Sequence, residues 1–130
     1  MDTNIISDLV NHPGGIAAEQ FHKIGAGRMF TSIIVAAEAR YGAEKKNSAR
    51  LRRRVEDVLG VIGVLAFEEP ADRTYATLRA ELDRAGAPIG ANDLLIAAQA
   101  LTLGYTVVTD NEGEFGRVKG LRVENWLRTQ

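Results

Sequence analysis

Short β-branched runs alternate along this chain with segments of helical apolar period, and that alternation constrains the fold more than any other feature. Residues 28–31, 61–67, 105–109 and 121–123 read as strands, the second buried and the last a short edge strand. Ahead of and between them, residues 4–10 and 16–25 read as two short helices split by the breaker Asn11-His12-Pro13-Gly14-Gly15. A helix over 33–45 has Thr31 or Ser32 to cap it, and a second follows over 48–59. Pro70 suits the first turn of the next helix, which runs to about Arg84 and stops before Gly86 and Pro88. The last helix, 92–103, ends at Gly104, a residue suited to a left-handed C-cap. Strands alternating with helices predict an α/β fold whose parallel sheet is covered on both faces.

With 130 residues and no repeat, linker or low-complexity tract, the expectation is a single domain over 1–130. A chain of this size buries about two thirds of its unfolded surface without covalent staples. It contains no cysteine, which excludes a disulfide framework, a thiolate zinc site and a cysteine nucleophile. The opening MDTNIISDLV carries two acids and no basic residue, and no apolar run approaches the ~18 residues of a membrane span. A soluble, cytoplasmic protein with no membrane partner is expected.

Several carboxylates lie where an apolar fold should not want them. Within 33–45, Ile34, Glu38 and Tyr41 share a face at spacings of four and three, which predicts that Glu38 projects from the apolar side. Within 92–103, Asp93 heads the stripe Asp93, Ile96, Ala97, Ala100, Leu101, where the free amides of a helix N-terminus offset part of its cost. Asp2 stands at the start of the chain and Asp110 directly after the strand over 105–109. Ligands of open α/β sheets gather at the carboxyl ends of strands, which would bring both aspartates to one edge. Each acid also has an ordinary structural explanation: an N-cap for Asp93, a solvent-reaching side chain for Glu38, a turn with Asn111 for Asp110, a frayed end for Asp2. Convergence would decide otherwise. Two carboxylates about 4 Å apart repel by roughly 4 kcal/mol at an effective dielectric of 20, so a cluster persists only with protons or a cation. Oxygen donors without cysteine, and with His12 and His22 remote in sequence, favour Mg²⁺ or Mn²⁺ over zinc.

The formal net charge of -1 conceals a basic run, since Lys45, Lys46, Arg50, Arg52, Arg53 and Arg54 fall within ten residues. A solvated helix face is the commoner meaning of such a run, and a track for a phosphate backbone is the other. Arg117 and Lys119 add basic charge near the end of the chain.

The segments DTNI, SIIVAAEARYGAEKK, PIGANDLLIAAQALTLG and VVTDNEGEFGRVKGLRVENWL, in this order and covering nearly the whole chain, resemble a PIN-domain ribonuclease of the VapC toxin type. The resemblance implies a three-layer α/β/α sandwich with a central, mainly parallel sheet and a Mg²⁺ or Mn²⁺ site used to cut RNA, commonly tRNA or ribosomal RNA. By that match Asp2, Glu38 and Asp93 are the metal-binding acids, joined in catalysis by Asp110. The family's further acid or amide lies in the T-x-[DN]-x-x-x-F segment, where this chain offers Asp110, Asn111 and Glu114. Thr3, Asn4 and Thr109 match small polar residues that orient ligands or water, and Asn111 and Glu114 are supporting residues of the same kind. Lys45, Lys46, Arg50, Arg53 and Arg117 are the candidate RNA contacts. The resemblance also implies a homodimer and a VapB-type antitoxin that places a cation in the acidic pocket.

One departure stands out: the family usually has several apolar residues ahead of its DTN motif, forming the strand that carries the first aspartate, whereas Met1 alone precedes Asp2. Either the recorded start lies downstream of the true one or this strand is truncated. The expected chemistry is metal-assisted phosphodiester hydrolysis, since no Ser-His-Asp or Cys-His pattern is present. The alternative is a non-catalytic module of the same fold whose acidic pocket docks a basic partner segment.

Overall fold

A computed structural model describes residues 1–25 and 29–127. The described elements, in chain order, are α1 (Thr3–Asn11), α2 (Ile16–Ile24), β1 (Phe30–Ser32), α3 (Ile33–Lys45), α4 (Ala49–Val61), β2 (Gly63–Leu65), α5 (Ala71–Arg84), α6 (Ala91–Leu103), β3 (Val107–Val108), α7 (Glu112–Phe115) and β4 (Val123–Glu124). Arg28, the first residue of the strand expected at 28–31, lies outside the described residues. Strands β1 and β2 pair in parallel, Thr31 opposite Val64, and β3 pairs in parallel with β4, Val107 opposite Val123. Both pairs follow from helical crossovers, which return each strand to the sheet in the same direction.

Met1 and Asp2 stand between the two ladders. The Met1 amine donates to the Phe30 carbonyl at 3.0 Å. On the other side the Asp2 amide donates to the Val108 carbonyl, also at 3.0 Å. These two residues therefore hold the place of a central strand, with the order β2-β1-(Met1, Asp2)-β3-β4.

Helix ends follow the local chemistry of the chain. The Asp2 carboxylate accepts from the Ile5 amide, the Ser32 hydroxyl from Ile34, and the Ser48 hydroxyl from Leu51, each satisfying a donor that a first helical turn leaves free. Gly104 closes α6 in the left-handed region at φ 72°, where a side chain would be strained. The core draws Ile5, Ile6, Val35, Ala36, Ala97, Ala98 and Phe115 from four helices. Each large member contributes about 1.5–3 kcal/mol through burial.

Three expectations need correction. The face of α3 that packs inward is Val35, Ala36, Ala39 and Ala43, while Tyr41 is 60% exposed and Ile33 is also exposed. The large residues suggest a different stripe, but small alanines let α3 approach α1, α4 and α6 closely, so Glu38 stands at the margin of the buried face. The strand expected over 61–67 is three residues long and is not buried, because β2 lies at the edge of its ladder with Gly63 and Val64 exposed. The other strands are equally short, and 109–115 contains a helical turn, α7, too brief to show a period.

Candidate active site

Four helix N-termini and the end of β3 bring polar groups to one edge of the sheet. Asp2 caps α1, Asp93 lies in the first turn of α6, Glu114 belongs to α7, and Thr109 and Asn111 follow β3. Ser32, at the end of β1, caps α3, which carries Glu38 one and a half turns further on.

The center of the arrangement is one chain of hydrogen bonds. Asp2, 2% exposed, accepts from the Thr109 hydroxyl, and Thr109 is wholly buried. That hydroxyl oxygen in turn accepts from the Asn111 amide at 2.8 Å. The Asn111 side-chain amide donates to Asp93 Oδ2 at 3.2 Å and to Glu114 Oε2 at 3.0 Å. The second Glu114 oxygen accepts from the Gly90 amide at 3.1 Å, immediately before α6.

These carboxylates feel one another. Burial and then the proton shared with Glu114 push Asp93 up to about 7, with the negative charges of Glu114 and Asp2 acting in the same direction and the Asn111 amide opposing them. Glu114 is held below its ordinary range, first by the hydrogen bond from protonated Asp93. Asp2 is raised by burial, against the bonds from Thr109 and Ile5, and the charge of Asp110 adds to the rise. Without a cation, the Asp93–Glu114 pair retains one proton because two adjacent carboxylates cannot both ionise freely.

The remaining sequence-predicted residues stand around this center. Glu38 Oε1 accepts from the Asn92 side chain at 2.7 Å, which places it beside the residue preceding Asp93. Asp110 is exposed and accepts from the Asn4 side chain at 2.8 Å. Thr3 is the half-buried first residue of α1. Among the three residues left open in 110–114, Asn111 and Glu114 meet Asp93 directly, whereas Asp110 meets Asn4. Gly90 and Asn92 escaped sequence reasoning, although the GAND run that contains them was part of the resemblance. Of the basic candidates, Arg117 is tied to the Pro88 carbonyl at 2.8 Å. Arg52 is engaged by Glu44 and Asn47, and Arg54 by the Val10 carbonyl. Lys45, Lys46, Arg50 and Arg53 are exposed.

The donor set fits a hard divalent cation. Asp2, Asp93 and Glu114 offer carboxylate oxygens, the chain has no cysteine, and the retained proton marks where positive charge is favoured. Among the described residues, no three acids or histidines are gathered tightly enough to form a ready-made cage. That suits Mg²⁺, which keeps several waters and takes only one or two carboxylates directly.

Known proteins resemble the chain over almost its whole length. The family described as PIN domain matches residues 1–121. The tRNA(fMet)-specific endonuclease VapC of Shigella flexneri is 38% identical over 128 residues, covering 97% of this chain and 96% of that protein. Ribonuclease VapC2 of Haemophilus influenzae is 36% identical over 128 residues, covering 98% and 96%. Among solved structures, VapBC2 from Rickettsia felis bound to a DNA fragment from their promoter aligns with a TM-score of 0.89 and 33% identity, covering 96% of each chain. VapBC from Salmonella typhimurium, also bound to DNA, aligns with a TM-score of 0.86 and 36% identity, covering 96% and 95%.

Proposed function

The chain belongs to the PIN-domain family, and from that premise we propose that it is a VapC-type toxin: a divalent-metal-dependent endoribonuclease, cutting tRNA or ribosomal RNA and held in check by a VapB-type antitoxin. The observation that carries this reading is the Asp93–Glu114 pair, joined through Asn111 and Thr109 to buried Asp2, in a chain 36–38% identical to ribonucleases over nearly its full length. Two of those relatives, from Shigella flexneri and Salmonella typhimurium, are named for tRNA(fMet), which makes tRNA the first substrate to try. The VapBC structures supply the reason for an antitoxin partner. A homodimer, a cytoplasmic location and a single domain over 1–130 complete the proposal. Among the described residues no helix is long and apolar enough to cross a membrane.

Asp2, Asp93 and Glu114 would hold Mg²⁺ or Mn²⁺, with Glu38 and Asp110 at its margin. The cation supplies a Lewis acid and a water acidic enough to attack phosphorus at neutral pH. The chain's own part is to set the acids. Thr109 fixes one Asp2 oxygen by donating to it, and the Ile5 amide fixes the other. Asn111 holds Asp93 and Glu114 at a common distance, so neither turns toward solvent when its proton leaves. The N-termini of α1 and α6 direct partial positive charge at this edge, which lowers the cost of bringing an anionic phosphate beside carboxylates. Exposed Lys45, Lys46, Arg50 and Arg53 would attract the RNA backbone, as would Arg117 if it left Pro88.

Purified protein, free of any antitoxin, should cut total cellular RNA into discrete fragments with Mg²⁺ or Mn²⁺ and not with EDTA, and Asp93→Asn should lose the activity while staying folded. A metal-loaded, folded protein that leaves tRNA and ribosomal RNA whole would turn the assignment toward a docking module. The lack of a ready-made three-acid cage is the observation on that module's side.

A further inference from the structure

Glu38 stands at the margin of the acid cluster, in the middle of α3, and the donor that holds it comes from another helix. We propose that Asn92 is a positioning residue for the metal site: its side-chain amide fixes one oxygen of Glu38 and leaves the other oxygen, and the negative charge, available to a divalent cation. The inference rests on the ribonuclease reading and deepens it, since it names a residue through which Glu38 would take part.

The bond is needed because α3 cannot supply one. Glu38 lies past the first turn of a helix of 13 residues, where each backbone amide is already spent on a carbonyl four residues back. Other acids of the site have backbone help: Asp2 accepts from the Ile5 amide and Glu114 from the Gly90 amide. For Glu38 the hydrogen-bond donor among the described residues is the Asn92 side-chain amide, at 2.7 Å, and it reaches Oε1 alone. A free glutamate samples several rotamers. Fixing one of its oxygens beforehand removes freedom that a cation would otherwise have to remove on binding.

The kind of donor matters as much as its place. Glu44, the other acid of α3, is ion-paired with Arg52, and Arg40 of the same helix is engaged by Glu56. Glu38 has no ion-pair partner among the described residues, so its charge stays uncompensated. An asparagine holds a carboxylate without neutralising it, which an arginine could not do. Asn111 serves Asp93 and Glu114 in the same way. Nor does the fold need Asn92: its side chain is exposed, and α6 starts at Gly90 without a side-chain cap. Asparagine is a poorer helix former than alanine, so at an exposed place in a first turn alanine would suit the helix better. Asn92 immediately precedes Asp93, and one turn of α6 thus carries an acid of the site together with the holder of a second.

The test is a double-mutant cycle on Mn²⁺ affinity, measured by calorimetry without RNA on the parent chain, Asn92→Ala, Glu38→Ala and the two combined. Asn92→Ala should weaken binding about 10-fold, the lower end of what supporting partners of metal ligands contribute, while its melting temperature holds or rises. The combined variant should bind no worse than Glu38→Ala alone, because Asn92 acts only through Glu38. Additive losses, an unchanged affinity in Asn92→Ala, or a loss that follows a drop in melting temperature overturns the proposal. NMR reads the bond itself: the Asn92 side-chain amide protons should exchange with water faster in Glu38→Ala, and no faster in the parent after Mg²⁺ is added. Faster exchange with Mg²⁺ would mean that Glu38 leaves Asn92 to meet the cation, and overturns positioning. A parent chain that binds no Mn²⁺ overturns the ribonuclease reading and this inference with it; a parent that binds Mn²⁺ without coupling between the two residues overturns this inference alone.

Discussion

Charge is concentrated in two regions of this molecule and handled in opposite ways. On α3 and α4, acids and bases alternate: Arg40 meets Glu56 at 3.0 Å with both side chains about half exposed, and Arg52 meets Glu44 in the same fashion. Each of these four charges has an opposite neighbour and open water, which makes such pairs weak contributors to stability and easy to exchange. At the sheet edge the hydrogen bonds to Asp2, Asp93 and Glu114 among the described residues come chiefly from uncharged donors, Thr109, Asn111 and backbone amides, while Arg117 and the Met1 amine act on Glu114 and Asp2 only as more distant charges. The difference teaches where function lies. Like charges kept together by uncharged donors raise one another's proton affinity and retain a demand for positive charge, whereas a surface of matched pairs has satisfied its own.

Substitutions separate the two regions most sharply. Asp93→Asn should reduce RNA cleavage by at least about 100-fold, the scale on which even supporting partners of a metal site act. Its melting temperature should hold or rise, because a source of repulsion is gone; an active Asp93→Asn enzyme would remove Asp93 from the site. Asn111→Ala ranks next. It should weaken Mn²⁺ binding about 10–100-fold, measured by calorimetry, and leave Asp93 and Glu114 facing each other without their common donor. Unchanged affinity would make Asn111 a bystander.

The pH response of the metal-free protein probes the same demand for charge. Asp93 is raised to about 7 against an unfolded value near 3.9, and Asp2 is raised in the same direction, so between those limits the folded state binds more protons than the unfolded one. Stability from this source is fully present at low pH and is lost as pH rises through about 7. Depressed Glu114 contributes with the opposite sign, but its loss comes as pH falls through its lowered value, below this window. Melting temperature should therefore decline from about pH 5 to pH 8 without metal, and Mn²⁺ should flatten the decline. A flat metal-free profile would mean that the acids do not share a proton.

The smallest effects belong to the basic face. Arg40→Gln should change stability by less than about 0.5 kcal/mol and leave cleavage intact, as surface substitutions generally do. Neutralising Lys45, Lys46, Arg50 and Arg53 together should reduce the salt dependence of RNA binding without altering the metal requirement. An unchanged salt slope would return that run to the role of a solvated helix face.

Helices α3, α4, α5 and α6 were readable within two residues because each is long enough to show a period and carries its own stop or cap: Ser32, Ser48, Pro70, Gly104. The strands were overextended, since β-branched residues continue past the point where a neighbour is present to pair with. Asp93 was singled out as an acid heading an apolar stripe and Asp2 by its place at the start of the chain, and the structure brings their charges within reach of each other. Glu38 was placed by the wrong stripe: the packing face of α3 is made of alanines, and a pattern weighted by large residues overlooks it. The meeting of Glu114 with Asp93 could not be read from spacing, because it depends on α7, a single turn whose position is set by contacts with α6 and β4. The resemblance narrowed the choice to 110–114 and no further.

The short helix α7 is fastened to the segment that leads into α6 by two side chains, one in its last turn and one just past its C-terminus. Glu114 accepts from the Gly90 amide, and Arg117 donates to the Pro88 carbonyl. The two clasps make the lip of the site a single moving part: a ligand that draws Glu114 inward must either take Pro88–Gly90 with it or break the bond to Gly90. On the proposed reading, product release and antitoxin removal would then share one mechanical step.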